Sequence, residues 1–233
     1  MAKLVFERKE IKYIITKQQH DDLLRMLEGR MQPDQYGVTR ICNIYFDTYT
    51  FRLIRESIEK PKYKEKLRIR TYGIPKGSDL AFIEIKKKLN GVVYKRREEL
   101  PYDEAFALLT ERKHTEKHSH IIEEIEWFLD QYGALEPAMV LCYDRQAFFG
   151  AEDPLLRMTM DTRIDYRLDQ LDLKLGDHGI PLIDDSVYIL ELKVNQAMPL
   201  WFSHALDELK IYPGSYTKYG NAYKKLLSEG VLI

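Results

Sequence analysis

"KYKEKLRIRTYG", Lys62 to Gly73, decides how this chain is read. Lys64, Lys66, Arg68 and Arg70 fall at every second position, with Glu65, Leu67, Ile69 and Thr71 between them. A strand sends alternate side chains to opposite faces. The stretch therefore predicts a strand with four cations in one row and a mostly apolar row behind them. A half-buried strand commonly hides its apolar row and gives its charges to water. Taken alone, the stretch leaves open whether its cations face bulk water or a polyanion.

The pattern returns along the chain. In "AFIEIKKK" Glu84, Lys86 and Lys88 share a face opposite Ile83 and Ile85, and in "VVYKRREEL" Lys95 and Arg97 share one with Val93. Tyr143 and Arg145 alternate with Cys142. Arg157, Thr159, Asp161 and Arg163 stand against Met158, Met160 and Ile164. Ile189, Glu191 and Lys193 stand against Leu190, Leu192 and Val194. Amphipathic helices are also predicted, and they must bury their apolar stripes somewhere. If they cover the apolar rows, the charged rows are left on the other face, as in a small barrel with a polar lumen. Such a lumen is unstable empty, because like charges repel, and a polyanion would satisfy it. Arg offers fork-shaped donors to phosphate oxygens, and Lys adds compact charge.

Composition sets limits. The 233 residues are 45% hydrophobic and 31% charged, as in a folded globular chain, and the net charge is −1. The whole chain thus has no general attraction to nucleic acid or anionic membrane. From Lys62 to Arg97, however, twelve cations face three acids, a local excess of nine. Cys42 and Cys142 sit in apolar runs and read as buried free thiols, with no metal-binding spacing. The start, "MAKLVFERKE", lacks a signal-peptide core, and no run approaches the roughly 18 apolar residues of a membrane-spanning helix. The expectation is a cytoplasmic protein with no nucleic-acid partner and no direct membrane insertion. No "GxxxxGK[ST]", "GxGxxG" or "HExxH" motif occurs, so side chains would have to grip any nucleotide phosphates.

Element signals fit one α+β domain over residues 1–233. Strands are predicted at Phe6–Thr16, in "TRICNIYFD", at Tyr63–Tyr72, Leu80–Lys88 and Val92–Leu100, and in "EPAMVLCYDRQAFFG", "LLRMTMDTRIDYRL" and "SVYILELKVN". Asn90-Gly91 predicts a two-residue hairpin. Helices are predicted after Thr16 as cap, in "TYTFRLIRESIE", "PYDEAFALLTER", "SHIIEEIEWFLDQYG" and "LWFSHALDELK", and from "TKYGNAYKKLLSEG". The histidines of "KHTEKHSH" fit no known ligand spacing and read as a solvated loop.

The ordered set "FERKEIKY", "IYFDT", "LRIRTYG", "IEIKKK", "YDRQAF", "RMTMDTRI", "ILELKV" and "YTKYG" resembles the VTC domain. That domain is the catalytic polyphosphate polymerase module of the vacuolar transporter chaperone complex, and it belongs with the triphosphate tunnel metalloenzymes, or CYTH superfamily. The resemblance implies an antiparallel eight-stranded β-tunnel with helices outside. By the same resemblance, Lys12, Arg68, Arg70 and Lys86 match phosphate-holding residues. Arg145 and Arg157 match two further arginines, and Tyr143 an accompanying tyrosine. Lys95 and Arg97 fit the basic hairpin strand. Glu191 matches the ligand of Mn²⁺ or Mg²⁺. Lys218 matches a lysine near the transferred phosphate, and Thr217 stands where a serine is common. Hydrolytic relatives carry Glu-x-Glu-x-Lys on the first strand, whereas Arg8, Glu10 and Lys12 stand here. Arg8 thus replaces a potential metal ligand with a phosphate contact, as in the polymerase branch.

The implied activity is transfer of the γ-phosphoryl of ATP to a growing inorganic polyphosphate, with Lys218, Arg70, Arg145 and Glu191 at the chemistry. A phosphate acceptor is already ionised near neutral pH, so no strong base is needed. Two alternatives stay open. One is a tunnel-type triphosphatase, with Glu10, Glu84 or Asp161 orienting water. The other is a non-catalytic polyphosphate-binding protein.

Overall fold

The computed structural model describes residues 9–59, 61–90, 92–195 and 197–232. In chain order the elements are β1 (Lys9–Thr16), α1 (Lys17–Met26), β2 (Met31–Asp47), α2 (Arg52–Ile58), β3 (Tyr63–Tyr72), β4 (Leu80–Leu89), β5 (Val92–Pro101), α3 (Tyr102–Glu111) and α4 (His120–Tyr132). There follow β6 (Glu136–Gly150), β7 (Arg157–Arg167), β8 (Ile180–Pro181), β9 (Val187–Val194), α5 (Leu200–Glu208), β10 (Pro213–Gly214) and α6 (Lys218–Ser228). The α+β class expected from sequence is the one observed. Ten strands occur among the described residues, not eight, because β8 and β10 are two-residue pieces too short to leave a periodic signal. Arg8 lies outside the described residues, as does Gly91 of the hairpin.

The chain forms two compact units. The first takes its described residues from Met1–Thr39, Tyr143–Ile164 and Ile183–Thr217, and the second from Arg40–Cys142, Asp165–Leu182 and Lys218–Ile233. In the first unit the strand order is β10-β1-β9-β7, followed by the C-terminal part of β6. The pairing is antiparallel, with Lys12 opposite Glu191 and Glu191 opposite Thr159. Tyr13, Ile15, Met158, Met160, Leu190 and Leu192 form the apolar side of this sheet. Leu23 and Leu27 of the α1 region and Phe202, Ala205 and Leu206 of α5 pack into the same core. Helix α1 starts at a reciprocal cap: Thr16 Oγ1 accepts from Gln19 N at 3.2 Å, and Gln19 Oε1 accepts from Thr16 N at 3.0 Å.

In the second unit the C-terminal part of β2 joins β3, β4 and β5. Their apolar rows, including Ile44, Leu67, Ile69, Ile83 and Ile85, are capped by Leu108 and Leu109 of α3 and Ile125, Phe128 and Leu129 of α4. The helices therefore cover the apolar rows in both units, and the charged rows occupy the other faces. Lys87 and Arg96 lie on the helix side instead and pair with Glu124 of α4. No helix among the described residues is long and apolar enough to cross a membrane.

Asp47 anchors the second unit. Its carboxylate, fully buried, accepts from the backbone N–H of Thr48, Leu53 and Ile54 and from the Tyr219 hydroxyl at 3.0 Å. It thereby serves the first turn of α2, whose cap residue Phe51 supplies no side-chain bond, and ties α6 to that turn. Removing it strands several buried donors. Asp47→Ala is expected to destabilise folding by about 2–4 kcal/mol in urea unfolding; a loss under about 0.5 kcal/mol would show that the carboxylate is dispensable.

Candidate phosphate-binding clusters

In the second unit, register turns the basic stretch into layers. Lys66 on β3 stands opposite Lys86 on β4, which stands opposite Lys95 on β5. The next layer is Arg68, Glu84 and Arg97, and the next Arg70, Phe82 and Glu99. Glu84 is the centre. Its side chain is 2% exposed; Oε2 is 2.6 Å from Arg68 and 3.8 Å from Arg70, while Oε1 is 2.7 Å from Lys95 and takes the fork of Arg97. Burial alone would raise its pKa, but Arg68, Arg70 and Lys95 hold it well below the usual carboxylate value. Arg68 also donates to the Tyr45 hydroxyl at 2.9 Å, and Arg70 to Asn43 at 3.1 Å. Burial works against the Tyr45 phenolate, yet Arg68, Lys66 and Arg70 bring that phenol down to about 8.

Lys95 is the member of the lysine layer that reaches Glu84. Like charges directly opposite across a sheet are destabilising. Burial lowers Lys66 to about 8, and its neighbours Lys86 and Lys64 push the same way. Lys95 is also lowered by burial to about 8, despite its ion pair with Glu84. Lys86 between them is exposed. Lys218 is the first residue of α6. A cation there gains nothing from the helix dipole, whose positive end it occupies.

The first unit holds a separate cluster. Glu191, its side chain 12% exposed, lies 2.6 Å from Lys193 and 3.5 Å from Lys12. Lys12 is also 3.3 Å from Glu10 and donates to the Tyr216 carbonyl at 3.4 Å. Burial opposes ionisation of Glu191, but Lys193, Lys12 and Arg145 hold its pKa well below normal. Arg145 grips Asp161 with two bonds, 2.6 and 2.7 Å, and lies 5.2 Å from the Tyr143 ring centre. Arg157 is exposed, in register with Lys193, and Thr217 is exposed as well.

Of the residues picked from sequence, Arg68, Arg70, Lys95 and Arg97 converge on one carboxylate, and Lys12 meets Glu191. Two carboxylates read as water-orienting candidates have other work: Glu84 is filled by four cations and Asp161 by Arg145. Sequence reading missed Lys193, Tyr45 and Asn43 as site members, and it gave Lys66 only the role of guiding polyanions at the mouth. The signal was their shared row with chosen residues, but only pairing register shows which rows meet. Among the described residues no group of three or more His, Cys, Asp or Glu is placed to hold a metal ion. A carboxylate offers about four lone-pair sites. Glu191, with two ammonium partners, keeps room for a hard cation whose other ligands are phosphate oxygens and water, the usual arrangement for Mg²⁺.

A family model described as the VTC domain matches residues 7–227. No curated protein matches the chain. Among solved structures, one similar protein is from Bacillus halodurans and provisionally named an adenylate cyclase. It has 15% identity and a TM-score of 0.57, over 90% of this chain and 95% of that one. A second, from Hippeastrum, is an adenylyl cyclase candidate described as having a dominant triphosphatase activity. It has 16% identity and a TM-score of 0.53, over 96% of both chains. At this identity the likeness establishes the fold, which is the triphosphate-tunnel type.

A carboxylate whose folded pKa is depressed adds stability above its unfolded value and loses it as pH falls. For Glu84 the ordinary value is 4.5, so its contribution should fade as pH drops below about 4.5. Unfolding in urea at pH 7 and pH 3 should show a steep acid loss. Glu84→Gln should lower stability at pH 7 by about 3–5 kcal/mol, as breaking a buried ion pair does, and flatten the acid limb. An unchanged acid limb in that variant would contradict the assignment.

Proposed function

Because this chain belongs to the VTC domain family, we propose that it is a metal-dependent polyphosphate polymerase, transferring the γ-phosphoryl of ATP to inorganic polyphosphate and releasing ADP. The observation that carries the reading is the layer Lys66–Lys86–Lys95, set beside the arginines on Glu84. Three lysines stacked in register with two of them depressed to about 8 are a local cost. A polyanion removes that cost.

Phosphoryl transfer asks the protein mainly for alignment and for charge placed where charge develops. Arg68, Arg70, Lys86, Lys95 and Arg97 would supply such charge in one unit. Lys12, Arg145 and Arg157 would supply it in the other, with Tyr143 beside Arg145. Glu84 and Asp161 hold their arginines in fixed forks, so these side chains are ordered before substrate arrives. Lys218 is assigned to the transferred phosphate, with Thr217 next to it, Arg8 to a further phosphate contact, and residues 1–233 to one functional module. Glu191 would hold the Mn²⁺ or Mg²⁺, which supplies neutralisation of phosphate charge. The acceptor phosphate is ionised without help, which suits a site whose buried carboxylates are already committed to cations.

Purified protein given ATP and Mn²⁺ should produce a ladder of long anions on a polyphosphate-stained gel, together with ADP. Free phosphate without polymer would favour a triphosphatase, and unchanged ATP a binding protein. Arg70→Ala and Glu191→Gln should each reduce polymer formation by at least about a hundredfold, the scale of losing one charge-stabilising group; full activity in either sinks the site assignment. Anion binding favours the charged lysines, so their pKa values rise from about 8 and protons are taken up. Calorimetry of triphosphate binding at pH 8.5, in two buffers of different ionisation enthalpy, should show net proton uptake that vanishes at pH 6.

A further inference from the structure

The basic face of the second unit has a direction. Along β3 the same row runs Lys66, Arg68, Arg70 and then Tyr72. On β4 the matching row runs Lys86, Glu84, Phe82 and then Leu80. One end is therefore cationic, and the other is aromatic and apolar on β3 and β4, with Glu99 of β5 opposite Phe82. Successive layers lie about 7 Å apart, two residues of strand.

The aromatic end is built in an ordered way. Phe82 is buried, and its ring face carries the Arg97 guanidinium 4.5 Å from the centroid. Tyr72 stands edge-on to Phe82, centroids 5.6 Å apart and planes at 85°. One guanidinium thus links Glu84 to Phe82, whose ring in turn meets Tyr72. Tyr72 nevertheless remains 53% exposed, and Leu80 on the neighbouring row is also 53% exposed. A large, positioned ring left open beside a phosphate-binding wall is poorly explained by packing. Inorganic triphosphate would have no use for it.

We propose that Tyr72, braced by Phe82 and Arg97, is the stacking platform for the base of a nucleoside triphosphate whose phosphates lie along Arg70, Arg68 and Arg97. This rests on reading that basic wall as a triphosphate site. It adds that the site selects a nucleotide over inorganic triphosphate. It also orients the nucleotide, with the base at the Tyr72 end and the terminal phosphate toward the lysine layer. Stacking tolerates any planar base, so selection is for a base and not for adenine in particular.

The test is calorimetric affinity of the full chain for ATP and for inorganic triphosphate, in wild type, Tyr72→Leu and Tyr72→Phe. The leucine keeps bulk without an aromatic face, and the phenylalanine keeps the face without the hydroxyl. The ATP-to-triphosphate affinity ratio should fall about tenfold or more in Tyr72→Leu and stay near wild type in Tyr72→Phe. An unchanged ratio in Tyr72→Leu, with both ligands still bound by wild type, overturns the platform alone. So does an equal loss for both ligands, which would make Tyr72 a support for the arginines. If wild type binds neither ligand, the phosphate-site reading falls and the platform falls with it.

Discussion

Repulsion among cations held in register is the constraint around which this protein is organised. Lys66, Lys86 and Lys95 face one another across three strands, and Arg68 and Arg97 flank the next layer. A sheet tolerates this only if some carboxylate, solvent or ligand takes up the field. Glu84 does so for the arginine layer, from a position 2% exposed. One anion against Arg68, Arg70, Lys95 and Arg97 leaves that cluster with an excess of cations.

The same economy appears in the first unit with different residues. Glu191 sits between Lys12 and Lys193, and Asp161 is consumed by Arg145. Buried ion pairs of this sort are weak evidence for stability, since desolvation offsets much of the attraction. Their use is geometric. Two parallel bonds fix a guanidinium plane, and a fixed plane suits the oxygens of a phosphate. Both clusters depend on helices packed over the opposite, apolar rows, because a strand with a bare apolar face could not leave its charged face open.

Much of this was legible in the chain itself. The period-two rows, the Thr16 cap and the six helices among the described residues follow from local chemistry, and they appear where local chemistry puts them. Other parts were not legible. The first half of β2, "MQPDQYG", carries Pro33 and Gly37 and no alternation, so it resembles a loop until a neighbouring strand pairs with it. The pieces β8 and β10 are too short for any pattern. Glu84 looked like a candidate to orient water; only the cations brought in by β3 and β5 show it to be a counter-ion.

What the sequence determined by itself is therefore the set of rows: which residues share a face, where charge is concentrated, and which family's ordered motifs are present. Alternation is a property of one strand, and one strand is local. What only the tertiary structure decided is which rows become neighbours. Register places Lys66 beside Lys86 and Lys95, gives Arg68 and Arg97 a common carboxylate, and sets Tyr72 against Phe82 at the end of the arginine row. A shift of one residue would send every one of these side chains to the other face. The chemistry resides in pairs that lie far apart in the chain, and pairing is settled only when the sheet forms.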